Sequence, residues 1–134
     1  LRTQIAQPEM PEESVCARVM SLHKSKGLTA KVVIVAGCIE GLMPIHDSDL
    51  SPVEQNELLM EQRPLFYVAL TRCTDMLVLS SVLSLNRRTA FRMGAKVQGR
   101  GNTSLAITSR FIHELGPTAP RSKKGTAWVA GGFL

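Results

Sequence analysis

Aromatic side chains are scarce in this chain: one Trp, one Tyr and four Phe make up 4% of 134 residues. A core must therefore be built mainly from Val, Leu, Ile, Ala and Met. A hydrophobic content of 44% permits that and argues against wholesale disorder. No apolar run approaches the roughly 20 residues that cross a bilayer, so neither a membrane-spanning helix nor a membrane partner is expected. No signal-peptide pattern is visible, because Glu9, Glu12 and Glu13 sit where an apolar segment would lie. The first residue is Leu1 rather than Met, which reads as an excised fragment or a processed product.

Chemistry-bearing motifs are also lacking. The three cysteines, Cys16, Cys38 and Cys73, are far apart and form no CxxC pair, and no HExxH occurs. No metal site or disulfide framework is expected from them. Each lies beside apolar residues, which suggests buried reduced thiols and a cytoplasmic protein. No GxxxxGK[ST] phosphate loop is present, so a self-contained ATPase is not expected. At this length the chain is one domain or part of one.

Charge is distributed unevenly. Residues 1–84 carry seven Lys/Arg and ten Asp/Glu, a balance of −3, whereas residues 85–134 carry nine Lys/Arg and one acid, Glu114, a balance of +8. A basic block of this kind binds phosphates or remains a solvated surface.

Along the chain, residues 1–14 contain two prolines and three glutamates and read as a linker. The pattern VCARVMSL, from Val15 to Leu22, suggests a strand. His23 to Leu28 is a polar turn with a short helix or loop. Lys31 to Gly37 is a continuous β-branched run, as expected of a strand buried on both faces in a parallel sheet. A loop over 38–50 follows.

Ser51-Pro52-Val53-Glu54 matches a capping box, with Pro52 at the first helical position. Leu58, Leu59, Leu65, Phe66, Ala69 and Leu70 recur at helical spacing, so one helix face should pack inward. Pro64 should kink or divide this helix. Met76 to Leu83 reads as another strand. The basic stretch 86–104, with Gly94, Gly99 and Gly101, reads as a mobile loop. Ile107 to Leu115 suggests a short helix stopped by Gly116-Pro117, and 117–134 reads as a flexible tail, with Trp128 and Phe133 as candidates to dock elsewhere.

Strand, turn, strand, long helix, strand is the rhythm of an α/β sheet with crossover helices. In such sheets the functional loops usually lie at the carboxyl ends of strands, here expected after Leu22 and after Gly37.

Two segments stand out. Met20-Ser21-Leu22-His23-Lys24-Ser25-Lys26-Gly27-Leu28 resembles motif V, T-[IL]-H-x-x-K-G-L, of the UvrD/Rep-like superfamily-one DNA helicases. Glu61-Gln62-Arg63-Pro64-Leu65-Phe66-Tyr67-Val68-Ala69-Leu70-Thr71-Arg72 resembles their motif VI, E-x-R-x-L-x-Y-V-x-x-T-R. Between them, GCIEGLMP (Gly37 to Pro44) is similar to the family's G-x-E-E-G-x-[FL]-P loop. Ser109 to Leu115 (SRFIHEL) is similar to its S-R-F-[IL]-x-E-L segment. The resemblance covers about 15–116, four pieces in register.

The resemblance implies the later part of the second of two RecA-like lobes over 15–116: α/β, with a mostly parallel sheet and flanking helices. It implies ATP with Mg²⁺ as cofactor, the phosphate loop and the metal-binding acid belonging to the first lobe. Single-stranded or partly duplex DNA and the remaining lobes of the parent chain are the implied partners. Arg72 corresponds to the arginine that reaches the γ-phosphate, and a guanidinium's permanent charge and planar donor fork suit that task. Helical spacing places Arg72 about 120° from Phe66, off the core stripe. Tyr67, Lys26, Gly27 and Thr29 are the further nucleotide-side candidates, and Ser21, His23 and Lys24 the nucleic-acid-side ones.

Three departures stand beside these matches. Thr29 replaces a glutamate associated with the nucleotide's sugar and lacks its charge and reach. Pro64 replaces the second arginine of an E-R-R run, and Gln62 a frequent acid. The alternative is a non-catalytic nucleic-acid-binding or interaction module derived from a helicase lobe, which the basic C-terminal third supports. A helicase–nuclease ranks low, because 117–134 holds no carboxylates.

Overall fold

β-Branched residues form the first strand, β1 (Ala30–Val35), and it pairs in parallel with β2 (Cys73–Leu79). In this computed structural model, residues 16–131 are described. The linker expected over 1–14 lies outside them, as does Phe133. The β1–β2 register sets Ala30 opposite Cys73 and Val35 opposite Leu79, with an irregularity between Ala30 and Val32. A parallel pair needs a crossover, and the long helix α1 (Pro52–Leu70) supplies it.

The sequence marks both ends of α1. At its start the Ser51 hydroxyl accepts from the Glu54 amide, and the Glu54 carboxylate accepts from the Ser51 amide at 2.9 Å. These bonds satisfy two of the orphan amides of the first turn. Of the expected kink or division at Pro64, the division does not occur: the helix continues as one element of 19 residues. Proline removes only one backbone donor, and Pro64 points to solvent. Phe66 and Ala69, on the other face, are buried.

Phe66 joins Val35, Cys38, Ala69 and Phe111 in the main core, and the Phe66 and Phe111 rings lie 5.2 Å apart, tilted. Phe111 belongs to α3 (Arg110–Glu114), the short helix expected near the basic third's end. Gly116 follows it with φ +82°, a conformation glycine adopts without steric cost.

Several expectations are corrected. Residues 16–22 form no strand: Val19 is fully exposed, and no described strand runs alongside to complete a ladder. The apolar run of β1 is covered on one face only, because Val32 and Ile34 remain 52% and 62% exposed. β2 begins at Cys73 and ends at Leu79, four residues before Leu83. The reading of 86–104 as a loop is also wrong. Asn86 caps a helix, α2 (Arg87–Met93), closed by Gly94 at φ +78°.

A second sheet, antiparallel, is made of β3 (Ser84–Asn86), β5 (Thr103–Ala106) and β4 (Val97–Gln98), in that order. Parallel pairing thus describes only the first, two-stranded sheet. The fold is mixed α/β with a small parallel sheet. Within the expected tail, Gly125–Ala130 forms a helix, α4, with Trp128 half-buried. Cys16 is exposed rather than buried, whereas Cys38 is buried and Cys73 half-buried. Among the described residues no helix is long and apolar enough to cross a membrane.

Candidate functional site

The turn that carries Ser21, His23, Lys24, Lys26 and Gly27 is built by short-range bonds. A single 3-10 turn, His23–Ser25, forms as the Lys24 amide donates to the Ser21 carbonyl at 3.1 Å and the Ser25 hydroxyl donates to the Leu22 carbonyl at 2.6 Å. Leu22 reaches down onto the main core. Gly27 then turns the chain at φ +83°, with open space around it. Its requirement for glycine is conformational, not one of close approach. Ser21, His23, Lys24, Lys26 and Thr29 all lie exposed to solvent.

Arg72 lies just beyond α1, whose last helical residue is Leu70 and whose C-cap is Thr71. The helical-wheel argument therefore does not place it; the turn into β2 does. The Arg72 carbonyl accepts from the Ala30 amide at 2.9 Å, which fixes this turn beside the first residue of β1. The His23 turn and the Arg72 turn consequently share one end of the parallel sheet, where β1 and β2 begin. This is the amino end, not the carboxyl end expected from the sequence, because residues 16–22 are not a strand.

The Arg72 side chain is half-buried. Its Nε donates to the Val68 carbonyl and its Nη2 to the Thr71 hydroxyl, both at 3.1 Å. The described ion pairs are Arg63–Glu114 and Arg110–Glu40, so no described carboxylate neutralises Arg72. Tyr67 is half-buried and meets Phe66 edge-on at 5.8 Å.

The Gly37–Pro44 loop lies at the other end of β1, roughly 20 Å away for six extended residues. Its role in the fold is to join the two sheets. Cys38 packs in the main core and Ile39 in the second cluster with Ala90 and Ala95. Burial pushes the Cys38 thiol up, against the Ser80 backbone hydrogen bond, so it stays protonated. The Glu40 carboxylate accepts from the Arg110 amide at 3.0 Å, from Arg110 Nε at 2.9 Å and from Nη2. Burial alone would raise the Glu40 carboxyl. The Arg110 hydrogen bonds, with the charges of Arg110 and Lys96, outweigh burial and hold it below its ordinary value. The SRFIHEL segment is thus the partner of the GCIEGLMP loop, a pairing the sequence placed in register without assigning it a reason.

Two residues of motif VI have such structural tasks. Arg63 pairs with Glu114 through Nε at 2.9 Å and Nη2 at 3.0 Å, joining α1 to α3. Gln62 accepts from the Ile45 amide at 2.6 Å and braces the loop. A cavity of about 210 Å³ beside this loop is lined by Glu40, His46, Gln55, Lys96 and Arg110, among others, and by none of the expected site residues.

The family model of the UvrD-like helicase C-terminal domain matches residues 3–84. The chain belongs to that family. Both motif turns fall within the match; the SRFIHEL segment lies beyond it. ATP-dependent DNA helicase UvrD1 of Mycobacterium leprae is 33% identical over 110 residues, covering 81% of this chain and 12% of that protein. ATP-dependent DNA helicase PcrA of Leuconostoc citreum is 33% identical over 99 residues, covering 74% and 11%. A putative ATP-dependent DNA helicase, YjcD, of Bacillus subtilis is 39% identical over 77 residues, covering 56% and 10%. The chain spans about a tenth of the length of these relatives.

Proposed function

We propose that this chain is the C-terminal segment of an ATP-dependent DNA helicase, the later part of a second RecA-like lobe. In this reading Arg72 reaches the γ-phosphate of ATP bound mainly by an absent first lobe. The His23 turn contacts single-stranded DNA. The observation that carries the proposal is the shared end of the sheet: a guanidinium with no carboxylate partner among the described residues and an exposed Ser-His-Lys turn sit where β1 and β2 begin.

The residues present suit completing a nucleotide site more than holding one. Nucleotide cradles use a run of backbone amides with a lysine and a hydroxyl, and no such sequence occurs here. Among the described residues no cluster of acids and histidines could hold a metal. What the chain contributes is a permanent positive charge with N–H groups that bond to no described residue, suited to the charge that spreads over equatorial oxygens during phosphoryl transfer. Tyr67, Lys26, Gly27 and Thr29 border the same end, with Thr29 offering one hydroxyl in place of a carboxylate.

A second reading, a nucleic-acid-binding module without catalysis, draws on α2. There Arg87, Arg88 and Arg92 are exposed, and Phe91 is 87% exposed beside them. Cations with an unburied aromatic ring suit a strand of phosphates and bases.

In the intact parent protein, Arg72→Ala is expected to lower DNA-stimulated ATP turnover by about 10³-fold or more. The purified 134-residue chain should hydrolyse no ATP with Mg²⁺. Turnover by the isolated chain, or an unaffected Arg72→Ala parent, would overturn the helicase reading. Salt-sensitive DNA binding by an inactive parent would favour the second.

A further inference from the structure

We propose that Thr71 is the positioning residue for the Arg72 guanidinium. The inference rests on the reading of Arg72 as the phosphate-reaching group. The Thr71 hydroxyl donates to the Val68 carbonyl at 2.8 Å, so its hydrogen is committed. Only its lone pairs remain, and one of them accepts from Arg72 Nη2 at 3.1 Å. The same Val68 carbonyl accepts from Arg72 Nε at 3.1 Å.

Two acceptors thus grip two nitrogens of one planar group. A planar fork held at two of its nitrogens cannot rotate about its last bonds without breaking a bond. Nη1 and the second hydrogen of Nη2 make no bond to any described residue, and they are the donors left for a ligand. The last carbonyls of α1 also carry the negative end of the helix dipole, which favours a cation there. A phosphate arriving at Nη1 would meet a donor already aimed.

Thr71 as a mere helix cap is the competing explanation, and substitutions separate the two. Valine keeps the shape of threonine and loses the acceptor; alanine loses both; serine keeps the hydroxyl. In the intact parent, Thr71→Val should lower kcat for DNA-stimulated ATP hydrolysis by about 10–100-fold, the cost of a misplaced catalytic group. The KM for ATP and the melting temperature should barely move. Thr71→Ala should behave likewise, which guards against a fold-specific effect of valine. Thr71→Ser should restore turnover to within about two-fold.

The decisive arm is the double variant: if Thr71 acts only through Arg72, Thr71→Val should add nothing in an Arg72→Ala background. Wild-type turnover in Thr71→Val and Thr71→Ala beside a crippled Arg72→Ala would sink the positioning role alone. Losses that multiply in the double variant, or a fall in melting temperature that tracks the loss of turnover, would reassign Thr71 to structure. Full turnover in Arg72→Ala would instead remove the reading of Arg72, and this inference with it.

Discussion

At Glu40 a nearly buried carboxylate is surrounded by donors: one backbone amide and two guanidinium nitrogens, all from Arg110. Removing the carboxylate leaves the first amide of α3 and the exposed Arg110 guanidinium without their acceptor. Glu40→Ala is expected to destabilise the chain by about 1.5–3 kcal/mol, the range for hydrogen bonds to charged groups, read as a shift in the urea midpoint at constant slope. The sign with pH follows from the depressed Glu40 carboxyl. Its stabilisation is complete at pH values above the ordinary glutamate value and is lost as pH falls through the lower folded value. Urea titrations from pH 7 downward should show wild type losing stability in that acid range, with Glu40→Gln losing less. Next to Glu40, a methyl group at Gly41 would collide with the Gly94 carbonyl oxygen, so the loop approaches the end of α2 more closely than any side chain permits.

At the scale of elements, α1 is the one most plainly written in the sequence. Ser51, Pro52 and Glu54 announce its start by local chemistry that needs no tertiary partner. Ser51→Ala is expected to cost about 1 kcal/mol, measured as a drop in thermal midpoint with loss of helical circular dichroism. The segment 84–106 was illegible for the opposite reason. Its strands are two to four residues long. Strands that short have no period to read, and they exist because β5 lies between two partners. The signals that were available were Asn86 before the helix and Gly94 after it, a cap at each end of a seven-residue element. For 16–22 the error ran the other way: β-prone residues without a neighbouring strand gain nothing from extending.

For the whole molecule, the parallel sheet has two strands among the described residues, where β1 pairs with β2 alone. Val32 and Ile34 lie exposed on the uncovered face of β1. The isolated chain should therefore self-associate, since an open apolar edge strand templates pairing. Light scattering should show mass rising with concentration, and a Val32→Lys/Ile34→Lys variant should remain monomeric at the same concentration. A monomeric wild-type chain would refute this expectation.

Local chemistry in the sequence determined the capped helix, the β-branched strand and the glycine turn at Gly27, and the motif segments between Met20 and Arg72 lie within the family match. Such features depend on neighbours a few residues away, so they can be read in a line. Only the tertiary structure decided that the Arg72 and His23 turns share one end of the sheet and that Glu40 grips Arg110. Each of these joins groups through the packing of Phe66 against Phe111 or the pairing of β1 with β2, and contacts between distant residues leave no period in the chain.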